Sequence, residues 1–200
     1  METATVRQAY TSVAQLYISL FGSSEQVHPD DLAFIERHLT GRPGPVLDLG
    51  CGPGHLTAHL RALGVDVAGI DLVPEFLAHA RASHPNVEFQ LGSFERLDVA
   101  DGSIDGVLAW YSLIHLPPRE LDGVLKEFRR VLAPAGRLVL GAFTADEVGA
   151  FDHKVATAYR WPLDALSERL THAGFREVER LPRPDDEQHR PHAALAAVAG

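Results

Sequence analysis

Gly50, Gly52 and Gly54 alternate with Cys51 and Pro53 directly after the apolar run Val46-Leu47-Asp48-Leu49. Glycines at this spacing let the backbone turn sharply and let a ligand approach the main chain with no Cβ in the way. A dinucleotide fingerprint would need glycine at position 55, where His55 stands. Asp71 closes a second apolar run. A carboxylate there can accept hydrogen bonds from both hydroxyls of a ribose, or it can cap the helix that starts near Pro74. His115 lies just past a third run, residues 104–110. An imidazole there can act as a general base, because its ordinary pKa lies near working pH, or it can be a hydrogen-bonded structural ring.

These groups can meet only if the chain folds so that the ends of the runs converge. Apolar spacings of three and four predict helices at 4–21 and 30–40, the second capped by Asp30 or Asp31, and Gly41-Arg42-Pro43-Gly44-Pro45 breaks the chain before the first strand. Strands are expected at 46–50, 65–70, 87–91, 104–110 and 137–143, with helices at 54–63, 74–83 and 119–132. This alternation argues for a parallel sheet covered on both faces. An irregular stretch runs from 144 to about 160, followed by a helix at 162–173 between Pro162 and Gly174. Strands at 175–181 and 192–198, joined by the polar loop 182–191, suit an antiparallel pair. In a doubly wound sheet ligands bind beyond the carboxyl ends of the strands. The glycine turn and residues 71–73, 92–94 and 110–115 all fall there, so they line one crevice.

Composition narrows the class. The chain has 200 residues, 46% of them hydrophobic, which is enough for one domain with a full core. A formal net charge of −9 argues against a nucleic-acid or anionic-membrane partner. Cys51 is the single cysteine, so an internal disulfide is excluded and a reducing compartment, the cytoplasm, is expected. No signal peptide and no run of membrane-spanning length is read. His55 and His59 lie four apart on a predicted helix, but no third ligand is placed beside them, so no metal is expected. A nucleophile elbow and a phosphate-loop lysine are both missing, which removes support for acyl hydrolysis and phosphoryl transfer.

The Gly50-x-Gly52-x-Gly54 turn resembles motif I of the class I S-adenosylmethionine-dependent methyltransferases. Gly69-Ile70-Asp71-Leu72-Val73-Pro74-Glu75 is similar to that family's second motif, with Val73 where a capping Ser is usual. The approaches to the fourth and fifth strands, Ser103-Ile104-Asp105-Gly106-Val107-Leu108 and Val131-Leu132-Ala133-Pro134-Ala135-Gly136-Arg137, extend the likeness over most of 46–143. The resemblance implies an α/β fold: a doubly wound, seven-stranded, mostly parallel sheet with a C-terminal antiparallel hairpin. Residues 1–200 then form one domain, with a helical lid at 1–40, a cofactor-binding core at 46–143 and an acceptor side at 144–200.

It further implies S-adenosyl-L-methionine as donor and S-adenosyl-L-homocysteine as product. Gly50, Gly52 and Gly54, with Cys51 among them, would admit the methionine part, and Asp48 would orient the turn. Asp71 and Leu72 would hold the ribose. Gly92, Ser93 and Phe94 would line the adenine, although many relatives carry Asp where Ser93 stands and Phe94 can equally fill the core. Trp110 would pack beside the donor. Tyr10 and Tyr17 share a helical face, and Tyr17 either reaches the donor or packs in the core. Among catalytic candidates, His115 is the first choice of base, then His153, with Tyr111 placed to reach or cover the acceptor. Residues 150–161, including Tyr159, would face a small-molecule acceptor. A homodimer is left open. Two alternatives stand beside transfer: a cofactor-binding protein without catalysis, and the same fold performing another reaction.

Overall fold

The computed structural model describes residues 2–183 and 190–200. Helix α1 (Glu2–Phe21) and helix α2 (Pro29–Leu39) precede strand β1 (Val46–Leu49). The alternating core follows as α3 (His55–Ala62), β2 (Val67–Asp71), α4 (Pro74–Ser83), β3 (Glu88–Leu91), β4 (Ile104–Trp110), α5 (Pro118–Val131) and β5 (Leu132–Thr144). The chain ends with β6 (Gly149–Phe151), β7 (Ala158–Trp161), α6 (Leu163–His172), β8 (Phe175–Arg183) and β9 (His192–Ala199).

Five parallel strands lie in the order β3-β2-β1-β4-β5. β9 pairs antiparallel with β5 on one side and with β8 on the other, so the terminal hairpin inserts its last strand next to β5. The mostly parallel sheet with an antiparallel end is as expected, but it has nine strands, not seven, because β6 and β7 join it beside β5. The sheet sorts its side chains by period two. Val46, Leu108, Val139 and Ala196 pack toward Phe34, Ile35, Leu56 and Leu60 of α2 and α3. Leu47, Val107, Leu138 and Leu195 pack on the opposite face against Leu125 and Phe128 of α5 and Leu166 and Leu170 of α6.

Three local expectations are corrected. The stretch from 144 to 160 is not irregular: β6 and β7 form a short antiparallel pair, and β7 runs parallel to the end of β5 through Phe143↔Arg160 and Thr144↔Trp161. β4 leaves β5 at Trp110↔Gly141 and β9 holds the other edge, so β7 takes the edge that β4 vacates. Strands this short give no readable alternation, which is why the sequence hid them. The α2 cap is His28, whose Nδ1 accepts from the Asp30 amide, because Pro29 occupies the first helical position. Asp31 is instead buried, with Arg183 3.2 Å away. Within the expected loop 182–191, β8 continues to Arg183 and β9 begins at His192; residues 184–189 lie outside the described residues. Among the described residues no helix is long and apolar enough to cross a membrane.

Candidate functional site

The turn after β1 is set by backbone geometry. Gly50, Gly52 and Gly54 all have left-handed φ, +77°, +54° and +84°, a region closed to most side chains. The three differ in why a side chain is excluded. A Cβ on Gly50 would come within 2.3 Å of Ser112 Cβ, and one on Gly54 within 2.7 Å of the Phe89 ring. A Cβ on Gly52 would meet only Tyr17 Cε1, at 4.0 Å. Gly50 and Gly54 are therefore packing glycines, while the space over Gly52 opens under Tyr17 into a cleft. The Ile70 carbonyl accepts from the amides of Gly50 and Cys51 at 2.7 and 3.1 Å, which locks the turn to β2.

Asp48 and Cys51 lie behind this turn. Thr57 on α3 donates to Asp48 Oδ2 at 2.6 Å, tying the end of β1 to the helix that follows the glycines. Burial pushes the Asp48 carboxyl up to about 7 against the opposing pull of that hydroxyl. Cys51 packs with Leu77, Ala80 and Phe89, and burial holds its thiol well above the ordinary range. It is a space-filler there, with no nucleophilic character.

Asp71 forms the next wall. Its carboxylate accepts from the Gly52 amide and the Val73 amide, both at 2.8 Å. The residue thus holds the glycine turn and the chain just before α4 at once, through the Gly52 and Val73 amides, without capping the helix itself. Burial raises its pKa while these amides pull it down. A carboxylate offers about four acceptor positions, so lone pairs remain on the cleft side. α4 has no side-chain cap, as the Val73 substitution implies. α1 lies across this wall: Ala14, Val73 and Phe76 cluster with Tyr10, Tyr17 and Ile18. The Tyr17 ring lies tilted 5.1 Å from Phe76 and edge-to-face 5.4 Å from Tyr10, and burial pushes its phenol up to about 12.

The far wall is the end of β4. Tyr111 has φ +53°, a conformation unusual for an aromatic residue, and its ring lies 5.4 Å from Phe143 and 5.3 Å from Trp110. Ser112 Oγ, beside Gly50, is buried with no hydrogen-bond partner, a vacancy that a ligand's polar group can satisfy. His115 is buried and held from two sides: Nδ1 lies 2.8 Å from the Thr157 carbonyl and Nε2 2.9 Å from the Tyr10 hydroxyl. A carbonyl can only accept, so Nδ1 carries the proton, and neutral Nε2 accepts from Tyr10. Burial lowers the His115 pKa, with the Thr157 bond opposing.

One cleft joins Tyr17, Gly50, Gly52, Asp71, Leu72, Gly92, Phe94, Trp110, Tyr111 and His115. Asp48, Cys51, Gly54, Ser93 and His153 are not on its surface. Ser93 turns its hydroxyl to Glu95, accepting from the Glu95 amide at 3.1 Å. His153 stands behind His115, ring centres 5.2 Å apart, and burial beside that neighbour lowers its pKa to about 4. Tyr159 contributes through its backbone, its amide donating to the Ile114 carbonyl at 2.7 Å. Residues 150–161 accordingly buttress the loop after β4 from behind. Tyr10, Ser112, Glu95, Phe76 and Pro117 line the cleft without having been singled out for it. The heptad spacing of Tyr10 and Tyr17 was the legible signal for the first. Among the described residues no group of three His, Cys, Asp or Glu is arranged to hold a metal.

A sequence family described as a methyltransferase domain matches residues 46–136. The chain is 38% identical to a demethylmenaquinone methyltransferase of Chlorobaculum tepidum, over 73% of this chain and 72% of that protein. It is 34% identical to malonyl-[acyl-carrier protein] O-methyltransferase of Erwinia billingiae, over 80% of this chain and 59% of that protein. Other curated methyltransferases are matched over 39% to 60% of their length, so the chain spans about half the length of most curated relatives it matches. A solved structure of Burkholderia thailandensis 1,6-didemethyltoxoflavin-N1-methyltransferase, with 1,6-didemethyltoxoflavin and S-adenosylhomocysteine bound, is similar at TM-score 0.82 and 26% identity, covering 98% of this chain and 88% of that one.

Proposed function

The chain belongs to the S-adenosylmethionine-dependent methyltransferases, and from that premise we propose that it transfers the donor's methyl group to a small-molecule acceptor. The observation that carries this reading is the left-handed glycine turn, open above Gly52, sharing one cleft with the Asp71 carboxylate and the end of β4. When bound, S-adenosylmethionine supplies a methyl group already activated on a sulfonium. The protein need only hold an acceptor in line with it, about 3–3.5 Å away, in a site that excludes water.

The roles of the side chains follow from their places. Gly52 leaves room for the amino-acid end of the donor beside Tyr17, and the unpartnered Ser112 hydroxyl offers a polar contact there. Asp71 presents its remaining lone pairs to the ribose hydroxyls. Leu72, Gly92 and Phe94 give the adenine an apolar slot, and Ser93 stays turned toward Glu95. Asp48 and Thr57 keep the turn attached to α3. α1, carrying Tyr10 and Tyr17, covers the cleft as a lid, and the acidic, cysteine-poor chain suits a small acceptor in the cytoplasm over a nucleic acid.

Calorimetry with S-adenosylmethionine and S-adenosylhomocysteine tests the pocket, and radiolabelled methyl transfer over a panel of small metabolites tests catalysis. Saturable binding of both nucleosides with label appearing in an acceptor is expected. Absence of binding to either sinks the reading. Tight binding with no label transferred would instead make the chain a cofactor-binding protein.

A further inference from the structure

We propose that Tyr10 takes the proton from a protic acceptor, with His115 as the base behind it. The acceptor then carries its nucleophile as X–H (a phenol, an enol or a ring N–H) and not as a carboxylate. This rests on the methyltransferase reading above and adds the residue that meets the acceptor and the class of acceptor it meets.

Both nitrogens of His115 are engaged, one by the Thr157 carbonyl and one by the Tyr10 hydroxyl. The imidazole has no free nitrogen to offer a substrate, so a proton reaching it from the cleft must pass through Tyr10. Tyr10 lines the cleft, and its phenolic oxygen keeps acceptor capacity while its own hydrogen points at Nε2. The cleft around it is largely apolar, with Val6, Phe76, Leu116 and Pro117 on its walls. The Thr157 carbonyl sets the tautomer, and β7, pinned to Ile114 by the Tyr159 amide, sets where that carbonyl stands.

The resting pair is neutral. Burial keeps the Tyr10 phenol protonated, with Tyr17 and Asp71 adding to the effect, and keeps His115 uncharged. A free Tyr10 phenolate is therefore disfavoured, and the two proton shifts must be coupled. In the balanced step the acceptor's lone pair bonds to the methyl carbon and the carbon–sulfur pair stays on sulfur. The acceptor proton moves to the Tyr10 oxygen as the Tyr10 proton moves to His115 Nε2. The positive charge that leaves the sulfonium ends on the imidazolium, whose Nδ1–H remains on Thr157. His153, the ring next to His115, is itself held neutral and does not repel that charge. A carboxylate acceptor has no proton to give, and this pair would stand idle.

The test compares wild type, Tyr10→Phe and His115→Gln. His115→Gln keeps a partner for the Tyr10 hydroxyl but cannot take its proton. Radiolabelled donor is supplied with 1,4-naphthohydroquinone as the phenolic probe, lumazine as the ring N–H probe and malonyl-coenzyme A as the carboxylate probe. Wild type should label the first or second, and kcat should fall roughly 10²-fold in both variants, the usual scale for losing general-base help. The KM for donor and the affinity for S-adenosylhomocysteine should change little. The wild-type rate should drop on the acid side as His115 protonates, and His115→Gln should lose that limb. The other ionisable groups around the pair are Tyr17, His153, Asp71, Glu95, Glu120 and Arg7, all of which both variants retain. Nitrogen-15 spectra of the wild-type imidazole should report neutral His115 with its proton on Nδ1, independently of any variant. Label in malonyl-coenzyme A alone, an unimpaired Tyr10→Phe, a proton on Nε2, or binding of S-adenosylhomocysteine with no label in any probe overturns the inference. Failure to bind S-adenosylhomocysteine at all overturns the methyltransferase reading instead.

Discussion

Gly50 and Gly52 bring bare main chain to one wall of the cleft within a five-residue turn that ends at Gly54, whereas the facing wall is formed by Tyr10 and His115, 105 positions apart, with Thr157, 42 positions further on, holding the imidazole from behind. The first wall is a local object: three left-handed glycines, a strand before them and a helix after them. The second exists only when α1, the loop after β4 and the β6–β7 pair have docked. A local turn is rigid by conformational restriction, and changes in it should appear as stability or donor affinity. A wall assembled from distant side chains should respond chiefly in turnover, as tested above for Tyr10 and His115.

The largest effect that could break this comparison lies within the turn. Gly54→Ala must adopt φ +84° and drive a Cβ to 2.7 Å from Phe89. Backbone strain of about 1–3 kcal/mol adds to overpacking of similar size. Loss of about 3 kcal/mol or more is expected, lowering Tm by roughly 10 °C in a chain of this length. Gly52→Ala meets only the strain, about 1 kcal/mol, but places its methyl in the cleft, so donor affinity should fall further than stability. Thermal scans with and without S-adenosylhomocysteine measure both. Equal losses of Tm would mean that the two glycines are not distinct in role.

Asp71→Ala should weaken S-adenosylhomocysteine binding by about 1.5–3 kcal/mol, the cost of losing charge-assisted hydrogen bonds. Titration calorimetry reads this directly. An unchanged affinity would leave Asp71 as a purely structural brace for the Gly52 and Val73 amides.

A smaller and more graded effect distinguishes the walls by pH. His55, at the start of α3, and His153, behind His115, are both lowered to about 4, chiefly by burial. In the unfolded chain they titrate near 6.5. Above that value both states are neutral and nothing is lost; as pH falls from about 6.5 toward 4 the unfolded chain takes up protons first, and stability declines. The His55 part amounts to at most about 3 kcal/mol. Urea denaturation at several pH values should show the decline, and His55→Gln should flatten more of it than His153→Gln, since the latter ring is the less enclosed of the two. An unchanged slope in His55→Gln would mean that this ring is hydrated in the folded protein.

Much of the core was legible because it is periodic. The expected helix at 74–83 is α4 residue for residue, and the strand at 104–110 is β4; both have clear boundaries, Pro74 at one and the run from Ile104 to Trp110 at the other. β6 and β7, of three and four residues, carry no period long enough to register, and they exist because β5 outruns β4 and leaves an edge to be paired. The same cause hid the place of His153: it reads as a polar loop residue, but pairing of its flanks turns it behind His115.

Residue types and local spacing by themselves determined the glycine turn, the acidic residue at the end of β2 and the sheet that carries them, because left-handed backbone and period-two burial are properties of neighbouring residues. Which nitrogen of His115 bears the proton, that Tyr10 is its partner, and that Gly52 alone of the three glycines has open space where a Cβ would stand were decided only by tertiary packing, because each depends on an atom brought in from a distant part of the chain.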